Sequence, residues 1–262
     1  MTSRRAVLSA GLGLALLPPA RLLAATSPSD LETFVRLRCA PDGKSTFWWY
    51  SGHVLARTAG NASRPLLSVI GVSRSRTTRQ PDGTYIYDLI EAGYYGAPGS
   101  TNIADGPITN ALTGEQITPE NYISPQTLRF YPDLEVKPIT DKLPPGLDYK
   151  GRITPPDIKH GRLWMAEELL IKLPGRNGEK SKLLNSLANF EAKLSDINSK
   201  KAFVPASLQY TTINSFRPWM NMGNADGDII SRLNGIKLET WEEIPAALRA
   251  RVIKDHGDAL YA

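Results

Sequence analysis

The fold is decided by the stretch FWWYSGHVLAR, residues Phe47–Arg57. Aromatic and β-branched residues favour strands, and this nearly continuous apolar run indicates a strand covered on both faces at one end. Two further strands are predicted at 66–76 and 84–95. The turn Gln80-Pro81-Asp82-Gly83 between them is typical of a β-hairpin. This half of the chain therefore predicts an antiparallel sheet.

The rest of the chain continues this pattern and adds a helix at each end of the domain. Strands are predicted at 127–136, 163–173, 208–216 and 229–238, and residues 188–198 alternate in the manner of a strand. A long irregular connection is predicted over 138–156, which holds five prolines. Capping residues Ser29 and Thr240 predict helices at 29–38 and 241–255. Together these elements predict a mainly β fold, an antiparallel barrel or strongly curved sheet with a C-terminal helix.

The first 25 residues are typical of an export signal. Arg4 and Arg5 precede a short apolar run, and small residues close the segment at Ala24-Ala25. The paired arginines indicate the twin-arginine export machinery as a partner. We expect residues 1–25 to be removed and residues 26–262 to form a single β-rich domain, periplasmic or secreted from a bacterium. The alternative is a retained membrane anchor, but the run is shorter than the roughly 20 apolar residues of a spanning helix.

The net charge limits the classes of partner, and the cysteine content limits the covalent cross-links. Without residues 1–25 the chain has 28 Lys and Arg against 26 Asp and Glu, a net charge of +2. A charge this small does not favour a nucleic-acid partner. Cys39 is the only cysteine, which excludes an internal disulfide and predicts a buried thiol.

The C-terminal third carries a distinctive set of motifs. They are SFRPWMNMG at Ser215–Gly223, Asp226-Gly227, GIKL at Gly235–Leu238, Trp241, and EIP at Glu243–Pro245. Together with WWYSGHVLAR at Trp48–Arg57 they resemble the family called domain of unknown function 1838. The resemblance implies a bacterial, often exported protein with a calycin- or lipocalin-like barrel. It implies no activity, no cofactor and no catalytic residues, so the cofactor remains unknown.

Chemistry has to be predicted from individual side chains, because the common catalytic motifs such as GxSxG, HExxH and the Walker loop are missing. His53, Glu91 and Glu167 are the candidate catalytic base and acids, since a carboxyl group turned into a barrel acquires a raised pKa unless it is paired. The alternatives are an outward-facing His53 and carboxylates paired with Arg57 or Arg162. The three histidines lie far apart in sequence, so no metal site is predicted.

Aromatic residues cluster on the predicted strands and indicate a pocket. Aromatic walls with a few polar groups are typical of small-molecule sites, although ordinary β cores use the same residues. We therefore predict a small apolar or aromatic ligand and acid–base chemistry such as isomerisation, cyclisation or elimination. A non-catalytic periplasmic binding or envelope-assembly module is the alternative. The candidate ligand-binding residues are Trp48, Tyr50, Tyr87, Trp164 and Trp219.

Overall fold

A computed structural model describes residues 29–140, 146–174 and 182–261. The predictions of an export signal and its cleavage lie outside these residues. The helices are α1 (Asp30–Arg38), α2 (Leu194–Ile197) and α3 (Ala246–His256), and Pro218–Met220 and Trp241–Glu243 are 3₁₀ turns. The strands are, in chain order, β1 (Thr46–Thr58), β2 (Arg64–Arg79), β3 (Tyr85–Gly96), β4 (Ile108–Thr109), β5 (Gln116–Ile117), β6 (Tyr122–Phe130), β7 (Glu135–Pro138), β8 (Asp148–Ile153), β9 (Asp157–Lys159), β10 (Arg162–Leu173), β11 (Lys182–Lys193), β12 (Ser207–Ser215) and β13 (Gly227–Leu238).

Ten of these strands close into an antiparallel barrel. Their order is β11-β12-β13-β1-β2-β3-β6-β7-β8-β10, and β10 pairs in turn with β11. The first and last strands of the chain pair over almost their full length, from Phe47 opposite Leu238 to Thr58 opposite Gly227. Among the described strands, the short β9 pairs with β10 alone, and β4 and β5 form a separate hairpin. The barrel with a C-terminal helix predicted from the sequence is confirmed.

Helix α1 covers one end of the barrel from the inside. Ser29 caps it as predicted, because its Oγ accepts the Glu32 amide at 3.2 Å. The fully buried Phe34 packs edge-on against Phe130 at 5.5 Å and against Phe190 at 5.8 Å between ring centroids. The helix therefore joins strands from opposite sides of the barrel through one aromatic cluster.

A buried lysine holds the C-terminal end of α1. The Lys237 ammonium donates to the carbonyl oxygens of Arg36 at 2.8 Å and Cys39 at 2.5 Å. Arg36 lies in the last turn of α1 and Cys39 is the residue that follows the helix, a place where a cation compensates the negative end of the helix dipole. Burial lowers the pKa of Lys237 to about 7. Cys39 is fully buried here, as predicted.

Helix α3 packs on the outer face of the barrel. Its Leu248 and Val252 join Phe47 and Trp241 in a second apolar cluster. The predicted start of this helix at residue 241 is wrong. The capping residue is present, since Glu243 Oε2 accepts the Thr240 amide at 2.8 Å, but it caps only the 3₁₀ turn. Ile244 is extended (ψ 140°) and Pro245 is not helical (ψ 129°), so α3 begins only at Ala246.

Two other element predictions are corrected. The single strand expected at 127–136 is two strands, β6 and β7, because the chain turns at 131–134, where Leu134 has φ of +70°. The irregular connection expected over 138–156 contains β8, which pairs with β7 and β10. The prolines of this segment lie outside β8, so they do not interrupt its hydrogen bonds. Among the described helices, none combines the length and apolar character needed to cross a membrane.

Candidate functional site

A small cavity lies inside the barrel between α1 and the middle of the strands. Its volume is about 80 Å³, smaller than the roughly 150 Å³ cavity that accepts benzene. It therefore has room for water or a small substituent of a ligand. Its lining is Arg38, Trp48, Tyr50, Ser73, Tyr87, Leu89, Glu91, Gln126, Glu167, Leu169, Ser186, Ala188, Leu208, Tyr210 and Leu233.

A larger space adjoins this cavity on the side away from α1, and we call it the mouth. Its volume is about 480 Å³, within the range of small-molecule sites. Glu91, Gln126, Tyr210 and Leu233 line both spaces. The remaining lining of the mouth is Val54, Val69, Tyr95, Glu120, Asn121, Tyr122, Ile123, Ser124, Leu184, Thr212, Asn214, Arg217, Trp219, Ile229 and Ser231.

A cluster of Tyr50, Glu91 and Tyr122 separates the two spaces, and we call it the neck. The Tyr50 hydroxyl donates to Glu91 Oε1 at 2.5 Å and the Tyr122 hydroxyl donates to the same oxygen at 3.3 Å. Burial raises the pKa of Glu91, and the two tyrosine hydrogen bonds offset part of that rise. Burial and the neighbouring carboxylate also raise the pKa of both tyrosines.

The neck is shaped by glycines on the two strands between its tyrosines. One row across the sheet reads Tyr50 on β1, Gly71 on β2, Gly93 on β3 and Tyr122 on β6. A Cβ atom on Gly71 would lie 2.3 Å from the Tyr50 ring, and one on Gly93 would lie 2.3 Å from the Tyr122 ring. Each tyrosine ring therefore lies over a glycine, which directs both hydroxyls to the single carboxyl group of Glu91.

An ion pair closes the opposite end of the small cavity. Arg38 Nε and Glu167 Oε2 lie 3.2 Å apart, and their side chains are 12% and 3% exposed. The Arg38 guanidinium also lies 4.8 Å from the ring centroids of Tyr87 and Phe190. Burial lowers the pKa of Arg38, but the Glu167 carboxylate, together with smaller contributions from Tyr87, Cys39 and Tyr210, raises it by more, so the net pKa is raised. We call Arg38, Glu167, Tyr87 and Phe190 the base.

The structure brings some of the predicted site residues together. Glu91 and Tyr50 meet at the neck, and Trp48 and Tyr87 line the small cavity beside Glu167. Trp219 lies at the mouth. Glu167 faces inward and the adjacent Glu168 outward, as their parity predicts. The partner of Glu167 is Arg38, however, and not Arg57 or Arg162, which pair with Asp228 and Glu191.

His53 and Trp164 lie apart from this group. Strand β1 keeps its register through residue 53, and the only shift against β2 lies between Val54 and Leu55. His53 therefore stays on the outer face and is exposed, which is the alternative left open by the sequence. Trp164 likewise alternates outward between the buried Leu163 and Met165.

Sequence reasoning missed Arg38, Tyr122 and Arg217. Arg38 looked like the last residue of an ordinary helix, and only tertiary structure turns it into the barrel. Tyr122 follows a loop that offered no strand signal. A usable signal was present for the neck, namely glycines inside two predicted strands, which mark a close approach of another group.

The neck has the composition of a proton-transfer site. Burial raises the pKa of the Glu91 carboxyl group, so it holds a proton at higher pH than an exposed glutamate does, and the tyrosine hydroxyls stabilise its charged form by donating to Oε1. Neither tyrosine reaches Oε2, so that oxygen has no hydrogen bond from them. Among the described residues, no group of three His, Cys, Asp or Glu side chains is arranged to hold a metal ion.

Part of the chain is similar to a known protein family. No curated protein matches the chain. The β domain of the Bordetella autotransporter BrkA, a crystal structure, is similar with 11% identity over 76% of this chain and 99% of that chain. Its TM-score of 0.27 is too low to relate the two folds. Residues 183–258, from β11 to the end of α3, match the family described as "Protein of unknown function (DUF1838)". Over this C-terminal segment the chain is similar to the DUF1838 family, which confirms the resemblance predicted from the motifs between Ser215 and Pro245, while the motif at Trp48–Arg57 lies outside the match.

Proposed function

We propose that the protein binds a small, largely apolar or aromatic ligand in the mouth and exchanges a proton with it through Glu91. The observation that carries this proposal is the neck. There the carboxyl group of Glu91 lines both interior spaces and accepts hydrogen bonds from two tyrosine hydroxyls. Isomerisation, cyclisation and elimination by acid–base catalysis each use such a proton transfer.

The walls of the mouth support an aromatic ligand. The ring centroids of Trp219 and Tyr95 lie 5.4 Å apart, and those of Tyr95 and Tyr122 lie 6.3 Å apart. These three rings form a continuous aromatic wall from the rim to the neck. A flat apolar molecule lying on this wall would have one end beside Glu91.

Calorimetry with naphthol, a small aromatic alcohol, tests the binding site. We expect naphthol to bind the protein and to bind at least about tenfold more weakly to Ser231→Phe, in which a ring fills the mouth. The matched control is Asn234→Phe, which places the same ring on the exposed outer face of β13. Absence of binding, or equal weakening in both variants, contradicts a site in the mouth.

Proton exchange is measured by repeating the titration in buffers with different ionisation enthalpies. We expect naphthol binding to take up or release protons at pH values above 4.5, the ordinary pKa of a glutamate, because burial raises the pKa of Glu91 and the naphthol hydroxyl changes its surroundings. The variant Glu91→Gln should bind naphthol without this exchange. If the exchange persists in Glu91→Gln, the group that titrates is not Glu91, and the non-catalytic binding module becomes the better explanation.

We also propose that the protein is exported to the bacterial periplasm, or secreted, by the twin-arginine machinery. Arg4 and Arg5 and the apolar run behind them support this route. Replacement of both arginines by lysine should leave the precursor in the cytoplasm, as measured by cell fractionation. Continued export of that variant would contradict the route. Native mass spectrometry of protein from the exported fraction would then identify a ligand that remains bound.

A further inference from the structure

We propose that the ligand of the mouth is an aromatic or apolar carboxylate, or a similarly compact anion, whose charged end pairs with Arg217 at the rim. This inference rests on the proposed function, since it names the chemical class of the ligand for the same site. It starts from Arg217 and Trp219, which lie in the motif SFRPWMNMG that the proton-transfer chemistry leaves unexplained.

Arg217 is an exposed cation at the edge of an aromatic site. It lines the mouth and makes no salt bridge with any residue in the described ranges. Its charge acts on the hydroxyl of Tyr95, partly opposing the rise in the pKa of Tyr95 that burial causes. An arginine of this kind presents several N–H donors to a carboxylate in a matching planar geometry.

The segment that carries Arg217 is held firmly in place. Pro218 follows at the first position of the 3₁₀ turn, and Met220 in the same turn is fully buried. The buried Asn110, from the hairpin that contains β4 and β5, donates to the Met220 carbonyl at 2.7 Å and accepts the Leu112 amide at 2.8 Å. The rim is therefore preorganised, which lowers the entropic cost of binding.

The charges around the mouth orient an anionic ligand. Glu120 is exposed on the same lining and repels a carboxylate. Burial at the inner end raises the pKa of Glu91, which means that this end of the site disfavours negative charge. An anion is therefore stabilised only toward Arg217, and its apolar body points along the aromatic wall of Trp219 and Tyr95 to the neck.

The test compares two ligands of equal shape, naphthoate and the neutral naphthalenemethanol, by calorimetry. We expect naphthoate to bind about tenfold more tightly, and added salt to weaken naphthoate alone. In Arg217→Gln the ratio of the two affinities should fall about tenfold, and in Glu120→Gln it should rise. The control is Arg232→Gln, which removes an exposed arginine from the outer face of β13 and should leave the ratio unchanged.

The outcomes separate this inference from the proposed function. If naphthalenemethanol binds in the mouth as tightly as naphthoate does, the anionic ligand is excluded while the aromatic site stands. The same conclusion follows if Arg217→Gln leaves the ratio of the two affinities unchanged. If neither compound binds, the proposed site itself is contradicted. If Arg217→Gln and Arg232→Gln weaken the binding of naphthoate equally, naphthoate is attracted to the positive surface charge in general and not to Arg217.

Discussion

At the scale of single residues, Arg38 and Glu167 form the most deeply buried charge pair that the structure describes. Each charge depends on the other, because removal of one leaves the second buried without a partner at a typical cost of about 3–5 kcal/mol. The rings of Tyr87 and Phe190 around the guanidinium add to the attraction but cannot replace a carboxylate. We therefore assign this pair to the stability of the base.

The prediction for this pair uses two adjacent glutamates on β10. Glu167→Gln should lower the free energy of unfolding by about 3 kcal/mol or more. Glu168→Gln is the control, since its partner Arg152 is 71% exposed, and exposed pairs contribute about 1 kcal/mol or less. Urea unfolding measures both. If Glu167→Gln and Glu168→Gln lose the same free energy of unfolding, the two charges are not interdependent. The same conclusion follows if the double variant Arg38→Met with Glu167→Leu is less stable than Glu167→Gln.

The raised pKa of Glu91 gives a prediction about pH. Its ordinary value is 4.5, and the folded protein holds the proton at higher pH than the unfolded chain does. Folding is therefore weakened as pH rises from about 4.5 through the folded-state pKa, after which the loss is constant. Glu91→Gln removes the ionisation while still accepting from Tyr50, so it should be more stable than the wild type at neutral pH.

The difference in unfolding free energy between Glu91→Gln and the wild type is the quantity to measure, at several pH values between about 4 and 8. The control is Asp88→Asn on the same strand, where the carboxylate is exposed and accepts a hydrogen bond from the Thr127 hydroxyl. A difference for Glu91→Gln that does not change with pH, or that changes equally in Asp88→Asn, would show that burial does not perturb the Glu91 carboxyl group.

At the scale of elements, the paired strands decide where the neck forms. The row from Tyr50 through Gly71 and Gly93 to Tyr122 crosses four strands in register. A sheet face with side chains at both middle positions would push the tyrosine rings toward the barrel axis. The glycines thus convert ordinary strand pairing into a site in which two hydroxyls share one carboxyl oxygen.

Replacement of Gly71 by alanine tests this arrangement. The added Cβ would overlap the Tyr50 ring, so we expect Gly71→Ala to lose about 1–3 kcal/mol of stability, as overpacked sites do. It should also weaken naphthol binding. Gly106→Ala is the control, because no atom lies within 4 Å of the Cβ position at Gly106. If calorimetry and urea unfolding give the same values for both variants, the glycine does not shape the neck.

The elements also show what the sequence could predict and what it could not. Periodicity located most strands and both terminal helices, because each has one face in an apolar environment. It failed at 127–136 and 138–156, where a turn without glycine and a proline-rich segment conceal two short strands. Side-chain chemistry placed both Glu91 and Tyr50 among the candidate site residues, but it did not predict that they contact each other. Their contact depends on the pairing of β1, β2 and β3, which a single sequence does not encode locally.

At the scale of the molecule, closure depends on both ends of the chain. The segment that matches the DUF1838 family holds three barrel strands and α3, too few strands to close a barrel. Its last strand, β13, pairs with β1, which lies far outside the match. The base and the mouth combine residues from both regions, whereas the three residues of the neck all lie outside the match. The matched segment is therefore one part of a continuous sheet.

This closure predicts that the described domain unfolds as one cooperative unit. Every barrel strand has two neighbours, so separation of any pair exposes two edges and opens the interior. Two variants test this prediction. Each keeps a single tryptophan and has phenylalanine in place of the other four tryptophans. One keeps Trp48, which is 2% exposed beside the small cavity, and the other keeps Trp219 at the mouth.

In urea the fluorescence midpoints of these two variants should coincide with each other and with the loss of strand signal in circular dichroism, as cooperative unfolding requires. Circular dichroism of each variant, compared with the wild type, shows whether the replacements themselves move the transition. A lower midpoint at Trp219 than at Trp48 would mean that the mouth opens while α1 still holds the base. The barrel would then be two units of different stability, because pairing between β1 and β13 would not couple its ends.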